Sequence, residues 1–157
     1  MIQLDLGIRF APNLISILGI LAAGWIFIKY ERRDDMLILA SASPRRKEIL
    51  QDMGIDFRTV PSEYREDNER QADPAALVMM QAEGKAREVW DRTEGKCPVL
   101  GADTLVVLDG SVLGKPHDRE EAVHMLQSLS GKTHEVMTGV ALATRQGMGK
   151  KWYVPQK

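Results

Sequence analysis

The sequence predicts a small α/β domain that follows a hydrophobic N-terminal segment. Short runs rich in β-branched residues alternate with stretches of helical periodicity, two of the helices open on a capping residue followed by proline, and Asp109-Gly110 separates two strand-like runs. The 157 residues suit one domain, and a formal net charge of −1 predicts no nucleic-acid partner. The chain has one cysteine, Cys97, which excludes an internal disulfide and is typical of a reducing compartment.

Residues 10–28 carry no charge and are long enough to cross a membrane. As a helix they would span about 28 Å, close to the hydrocarbon thickness of a bilayer. The basic residues that follow them place the rest of the chain in the cytoplasm by the positive-inside rule: Lys29, Arg32 and Arg33. Three interpretations of residues 1–35 remain open, namely a membrane anchor, a mis-assigned start before Met36, and a buried helix. The expected location is cytoplasmic, either free or tethered through residues 10–28.

The domain begins with a strand, a helix and a second strand. Residues 37–40 (LILA) are all apolar, as expected of a buried central strand. Ser43 and Pro44 predict a helix start, because serine is a good N-cap and proline suits the first helical position. Gly54 predicts the end of this helix, and residues 57–60 predict a second strand.

A long helix and a hairpin are predicted next. Residues 61–73 are polar and charged, which is typical of a loop, and Asp73-Pro74 then opens a helix that runs to about Trp90. Residues 98–116 predict a β-hairpin, because β-branched runs flank Asp109-Gly110, a pair favoured in two-residue turns.

The last part of the chain predicts one more helix and two strands. Asp118 with Glu121 three residues later resembles a capping box, which predicts a helix start, and Gly131 predicts its end. The remaining stretches predict a strand over 133–144, a turn over 145–151 and the beginning of another strand over 152–157.

Two arginines lie in the first turn of the first predicted helix. The N-terminus of a helix presents free N–H groups and about half a positive charge, so Arg45 and Arg46 oppose the helix dipole. A polyphosphate bound there would offset this repulsion through bidentate guanidinium hydrogen bonds. The alternative is that both arginines are solvated surface residues. The serines at this strand-to-helix junction, Ser41 and Ser43, leave the two interpretations evenly balanced.

Asp103 is the second candidate, because it follows the apolar run VLGA. An acid in that position could hold a hard divalent cation or orient a water molecule, or it could be a turn-forming residue that bonds its own backbone. Three further polar residues are weaker candidates: Glu66, Lys85 and Lys115. Taken singly, none of them indicates a site, and the alternative is that they are solvated side chains of a loop, a helix and a strand edge.

Three segments, LILASASPRRKEIL, GADTLVVLDGSVLGKP and LSGKTHEVMTGVAL, in this order and spacing, resemble the Maf family of nucleoside triphosphate pyrophosphatases. The resemblance runs from Met36 to about Ala143. It implies a Maf-like, ITPase-like mixed twisted sheet with flanking helices. It also implies hydrolysis of the bond between the α- and β-phosphates, which releases a nucleoside monophosphate and pyrophosphate with the help of a divalent metal. The family is associated with nucleotide sanitation and septum formation.

The resemblance implies a role for each matched polar residue. Asp103 would be the general base or metal-organising acid, and Glu66 with Asp103 would hold Mg²⁺ or Mn²⁺. The substrate-binding residues would be Ser41, Arg45, Arg46, Glu66, Lys85 and Lys115. The patterns S-P-R-R and G-A-D-T resemble the branch that acts on dTTP and UTP or on modified pyrimidine nucleotides. A homodimer is also implied, because family members commonly dimerise.

The chain departs from the family pattern at both ends. Family members begin near Met36, so residues 1–35 are expected to be an extension. Members continue beyond Lys157 through a motif close to D-K-A-G-x-Y-G-I-Q-G, so residues 36–157 are expected to form a Maf-like domain that is truncated at its C-terminus. The alternative function is therefore a catalytically inactive, nucleotide-binding or division-associated Maf-like protein.

Overall fold

The computed structural model describes residues 36–67, 72–145 and 147–156 of the chain. The hydrophobic segment 10–28 and the predicted boundary at residue 35 lie outside these ranges, so the three interpretations of residues 1–35 stay predictions. Within the described ranges, no helix is long and apolar enough to cross a membrane.

A mixed six-stranded sheet flanked by helices confirms the predicted α/β fold class. The strands are β1 (Leu37–Leu39), β2 (Phe57–Thr59), β3 (Val99–Leu108), β4 (Ser111–Leu113), β5 (Glu135–Thr144) and β6 (Gly147–Gln156). Their order is β2-β1-β3-β5-β6, and β4 pairs with β3 off this path. β1 runs parallel to β2 and β3, whereas β5 runs antiparallel to β3 and β6.

The position of the short strands leaves an opening in the sheet. β1 pairs with Val99 and Leu100 at the start of β3, and β4 pairs antiparallel with residues 106–108 at its end. The opposite edge of β3 is paired with β5 from Val99 to Val107. Residues 101–105 of β3 therefore face a gap between the described strands β1 and β4. This gap lies at the carboxyl end of β1, where α/β sheets commonly bind ligands.

Local capping signals account for three of the boundaries of the described helices. The helices are α1 (Pro44–Asp52), α2 (Pro74–Arg92) and α3 (Arg119–Leu129). The Asp73 carboxylate accepts the N–H of Ala76 and the Asp118 carboxylate accepts the N–H of Glu121, so both predicted acidic caps are confirmed. Gly54, with φ of +64°, donates its N–H to the Gln51 carbonyl in a Schellman-type ending of α1.

The start of α1 differs from the prediction in one respect. Ser43 occupies the N-cap position and Pro44 the first helical position, as predicted, but the Ser43 side chain makes no capping hydrogen bond. The backbone N–H of Ser43 instead donates to Ser41 Oγ at 3.2 Å. The prediction that the Ser43 hydroxyl caps the helix is therefore wrong, because the Ser41 hydroxyl orders this junction.

The helices α1 and α2 cover opposite faces of the sheet. The cluster under α1 comprises Leu37, Leu39, Ile49, Leu50, Leu100, Ala102, Val140 and Leu142. Small residues let α2 approach the other face closely, since a Cβ added at Gly101 would overlap the Ala82 carbonyl oxygen and one at Gly139 would overlap the Val78 backbone. This close approach brings the side chains of α2 within reach of Asp103 on β3.

The C-terminal hairpin of β5 and β6 differs from the prediction for residues 145–151. These residues were expected to form a turn, but β6 already begins at Gly147, which pairs with Thr144. Gly147 has φ of +112°, a conformation that suits glycine and allows the chain to reverse at once. The long partner β5 pairs with β6 from Val136 to Thr144, with a register shift between Ala141 and Ala143, so β6 forms although its first residues lack a strand-like pattern.

Candidate active site

A cavity of about 670 Å³ lies at the gap between β1 and β4. This volume is within the range of small-molecule sites. Six of the seven predicted site residues line it: Ser41, Arg46, Glu66, Lys85, Asp103 and Lys115. Arg45, by contrast, is exposed and does not line the cavity, so its predicted part in substrate binding stays a prediction.

Arg46 connects α1 to the ends of two strands. Its Nη1 donates to Ser41 Oγ at 3.1 Å and to the carbonyl oxygen of Ala102 at 3.0 Å, and its Nη2 donates to Thr104 Oγ1 at 3.1 Å. Burial lowers the pKa of Arg46, and the negative charges of Asp103 and Glu66 oppose that shift. A guanidinium stays protonated in proteins, so the cavity has a positive charge in a well-defined place.

Lys85 on α2 joins the two acidic residues of the cavity. Its Nζ lies 2.5 Å from Asp103 Oδ1 and 2.7 Å from Glu66 Oε1. Lys115, which follows β4, binds Glu66 from the other side, with its Nζ 2.9 Å from Oε2. Positive and negative charges therefore alternate along the series Asp103, Lys85, Glu66, Lys115.

The two lysines determine the ionisation of Glu66. Burial by itself would raise the pKa of Glu66, but the hydrogen bonds from Lys85 and Lys115, together with their positive charges, lower it overall. Glu66 is therefore held as a carboxylate at neutral pH, with both oxygens engaged.

Asp103 has one oxygen that no described residue contacts by a hydrogen bond. Its side chain is 6% exposed, and although Oδ1 binds Lys85, the buried Oδ2 has no hydrogen bond within residues 36–67, 72–145 and 147–156. A buried carboxylate oxygen without a partner is costly, so such an atom in a cavity points to an interaction with water, a cation or a ligand.

The donor set is compatible with a hard divalent cation. Carboxylate oxygens are the ligands that Mg²⁺ and Mn²⁺ prefer, and Mg²⁺ is often held by one or two carboxylates together with substrate phosphates. Oδ2 of Asp103 fits such a set, whereas the oxygens of Glu66 are engaged by lysines. Within the described part of the chain, no cluster of three or more His, Cys, Asp or Glu residues forms a metal site from protein ligands alone.

Thr104, the last residue of the G-A-D-T pattern, and Tyr64 also line the cavity, although neither is among the predicted site residues. Thr104 accepts from Arg46 and lies 3.3 Å from Thr138 Oγ1, which links the arginine to β5. Tyr64 is the aromatic residue of the lining. Its only signal in the sequence is its position two residues before Glu66, which places both side chains on one side of an extended segment.

The sequence profile of the Maf-like protein family matches residues 36–155. A second profile, described as a domain of unknown function (DUF4321), matches residues 1–27.

Curated relatives with the name dTTP/UTP pyrophosphatase are similar to most of the domain. The protein of Symbiobacterium thermophilum is 55% identical over 106 residues, which are 68% of this chain and 54% of that protein. The protein of Escherichia coli (strain K12) is 47% identical over 110 residues, 70% of this chain and 56% of that protein. The protein of Citrifermentans bemidjiense is 45% identical over 117 residues, 74% of this chain and 60% of that protein. The chain thus spans little more than half of the length of these relatives.

Two solved structures are similar at lower levels. A nucleoside-triphosphatase / dITP/XTP pyrophosphatase from Mycobacterium abscessus is 20% identical with a TM-score of 0.46, and the match covers 77% of this chain and 70% of that one. A HAM1 protein from Coxiella burnetii is 12% identical with a TM-score of 0.47, covering 76% of this chain and 68% of that one.

Proposed function

Because the chain belongs to the Maf-like protein family, we propose that its cavity hydrolyses nucleoside triphosphates between the α- and β-phosphates, releasing a nucleoside monophosphate and pyrophosphate. The relatives named dTTP/UTP pyrophosphatase support dTTP and UTP as its substrates. The observation that carries the proposal is that three cationic side chains line the same cavity as Asp103, whose buried Oδ2 has no hydrogen-bond partner among the described residues.

The charges of the cavity suit a polyphosphate. Arg46, Lys85 and Lys115 bring three positive charges, and Asp103 and Glu66 bring two negative ones, so the cavity has a net charge of 3 − 2 = +1. A triphosphate has about four negative charges, which favours binding next to a guanidinium and ammonium groups. Lys115 is 82% exposed, so it can turn from Glu66 towards a phosphate oxygen.

Asp103 is the residue that we assign as the general base. Lys85 holds Oδ1, and Oδ2 has no partner among the described residues, so we assign Oδ2 as the atom that accepts the proton once neighbouring side chains shift to admit a water molecule to this buried oxygen. The water oxygen then forms a bond to phosphorus as the bond to the bridging oxygen breaks, with the two oxygens roughly in line. The proton moves to Asp103 Oδ2, and the released phosphate oxygen is stabilised by the cationic side chains.

We further propose that Asp103 and Glu66 hold Mg²⁺ or Mn²⁺ together with the substrate. A divalent ion bound there would neutralise charge on the phosphate oxygens. Oδ2 of Asp103 would supply one ligand while it carries no proton, so metal ligation and proton acceptance are alternative roles of this buried oxygen, and Glu66 would supply a second ligand when Lys115 turns towards the phosphates.

The remaining assignments concern the whole chain. We propose that residues 36–157 form the hydrolytic domain and that residues 1–35 are a separate extension. Cytoplasmic location, a membrane tether through residues 10–28, a homodimer and a link to septum formation stay predictions.

Incubation of the full chain with dTTP or UTP and Mn²⁺ tests the proposed reaction. The expected products are the nucleoside monophosphate and pyrophosphate in equal amounts. Release of orthophosphate would contradict the proposal and indicate another phosphohydrolase. Tight nucleotide binding without turnover would instead support the alternative, a catalytically inactive nucleotide-binding protein.

The variant Asp103→Asn tests the general base. It keeps the size of the side chain but removes the proton acceptor, so kcat should fall by about 10²- to 10⁴-fold. The dissociation constant for the nucleotide should change little. The matched control is Asp109→Asn in the exposed hairpin turn, where φ is +50° and asparagine is equally well tolerated. Near-normal turnover of Asp103→Asn would refute the assignment.

A further inference from the structure

Residues 61–67 form a segment along α2 that we call the strap. Every second residue of the strap is partly buried against the protein, namely Ser62, Tyr64 and Glu66, while the residues between them are exposed. Two residues of extended chain advance by about 6.6 Å and one turn of helix by about 5.4 Å, so Ser62 and Tyr64 can meet residues that lie one turn apart on α2. Glu66 contacts Lys85, in the same turn as the residue that Tyr64 meets, through the long lysine side chain.

Polar contacts hold the first half of the strap. Glu88 of α2 accepts the hydroxyl of Ser62 at 2.7 Å and the N–H of Glu63 at 3.0 Å on the same oxygen, Oε2. Arg92 of α2 donates to the carbonyl oxygen of Pro61 at 2.6 Å. The strap is thus attached to the C-terminal half of α2.

Tyr64 contacts α2 one turn before Glu88, at Gly84. A Cβ added at Gly84 would overlap three atoms of the Tyr64 ring, namely Cδ2, Cε2 and Cζ. The ring therefore lies directly on bare helix backbone. The N–H of Tyr64 donates to Ser62 Oγ at 3.1 Å, so the backbone that carries the ring is itself held by the first contact.

We propose that Tyr64 is a positioning residue. The packing of its ring on the backbone at Gly84, which we call the seat, determines where Glu66 meets Lys85 and Lys115. Glu66 follows Tyr64 by two residues on the same side of the strap, and its carboxylate reaches the two lysines at 2.7 and 2.9 Å. A side chain at position 84 would lift the ring away from α2 and carry Glu66 with it. The effect on catalysis rests on the proposed function, whereas the effect on structure does not.

A thermodynamic cycle tests the seat with Gly84→Ala, Tyr64→Ala and the double variant. Helix propensity by itself predicts that Gly84→Ala raises Tm by about 3 °C, because alanine is the better helix former. We expect this rise in the Tyr64→Ala background, where the ring is gone. In the wild-type background Gly84→Ala should instead lower Tm. A rise of Tm in both backgrounds would overturn the proposal.

The ammonium signal of Lys85 in ¹H–¹⁵N spectra tests whether the seat positions Glu66. The Lys85 side chain is 12% exposed and donates to two carboxylates, which should slow the exchange of its protons with water. The signal is assigned by its loss in Lys85→Met. Because Lys85 keeps its Asp103 partner in these variants, Gly84→Ala should shift the signal as Glu66→Gln does, whereas Tyr64→Phe, which keeps the ring, should leave it in place. If the signal is unchanged in Gly84→Ala although Tm falls, Tyr64 is a packing residue only and the proposal is wrong.

The kinetic consequence is measured on the same variants. Since an error of about 1 Å in the position of a catalytic group can cost about 100-fold, Gly84→Ala should lower kcat far more than it raises KM. Tyr64→Phe should restore kcat relative to Tyr64→Ala. If the wild-type chain does not hydrolyse nucleotides, the proposed function fails, while Tm and the Lys85 signal still decide whether Tyr64 positions Glu66.

Discussion

Replacement of Lys85 by methionine isolates the charge that holds the acidic side chains of the cavity together. Methionine keeps most of the length of the side chain and removes only the ammonium group. Asp103 would then lose the partner at 2.5 Å and would retain a buried carboxylate with both oxygens unpaired. Glu66 would still be bound by Lys115.

The expected loss of stability follows from burial. Removal of one partner from a buried ion pair costs about 3–5 kcal/mol, because an uncompensated charge is left behind. The positive charge of Arg46 also acts on Asp103, and Glu66 keeps one lysine, so we expect the lower end of this range. Lys85→Met should therefore lower the free energy of unfolding by about 3 kcal/mol at pH 7.

Urea unfolding followed by circular dichroism measures this loss, provided that the slope against denaturant stays constant. The double variant Lys85→Met/Asp103→Asn removes the buried charge as well. It should be more stable than Lys85→Met by about 1–2 kcal/mol, although the new amide still needs hydrogen-bond partners.

Two results would refute this reasoning. A loss below about 1 kcal/mol for Lys85→Met would mean that the pair behaves as a solvated surface pair. Additive losses in the double variant would mean that Lys85 and Asp103 do not interact energetically.

Three further predictions concern the core, the packing of α2 and the acid range. Leu50→Ala should lower the free energy of unfolding by about 2–5 kcal/mol, because the Leu50 side chain is 1% exposed. Leu126 is 68% exposed, so Leu126→Ala should change this free energy by less than about 0.5 kcal/mol. Equal losses in urea unfolding would contradict the burial of the core. Gly101→Ala should cost about 1–3 kcal/mol, because the added Cβ would overlap the backbone of α2, and an unchanged melting curve would exclude that contact. Because folding lowers the pKa of Glu66, its carboxylate stabilises the folded state at pH values above the ordinary glutamate pKa of about 4.3. This contribution is lost as the pH falls through the folded-state pKa. The stability difference between wild type and Glu66→Gln should therefore narrow in acid, and a difference that widens would contradict the sign of the shift.

Features that depend on neighbours in the sequence are predictable from it. The carboxylates at Asp73 and Asp118 bond N–H groups three residues away, and Asp109-Gly110 adopts positive φ at both positions. Each of these structures is stabilised within a few residues, so residue identity and order suffice to predict it.

Features that depend on a distant partner are less predictable. β6 begins at Gly147 because the ten-residue strand β5 pairs with it up to Thr144, and no local pattern in residues 147–151 indicates a strand. The failure of the Ser43 hydroxyl to cap α1 has a similar origin, since the junction is ordered by Ser41 and by Arg46 reaching across to β3.

The candidate site also has features that the sequence predicts and features that depend on distant partners. The motifs around Ser41, Asp103 and Lys115 are recognisable in the sequence through their resemblance to one family. The pairing of Lys85 with Asp103 and Glu66 is not recognisable in the sequence, since a lysine on a helix and a glutamate in a loop are ordinary surface residues by type.

The sequence by itself determined the α/β class, the helix and turn boundaries with local caps, and the family resemblance of the polar residues. Only the tertiary structure decided which of those residues meet. Glycine at positions 101 and 139 lets α2 lie against β3 and β5, and Gly84 admits the ring of Tyr64. The absence of a side chain carries little signal along the chain, yet it determines how closely two backbones approach and thereby which charges come into contact.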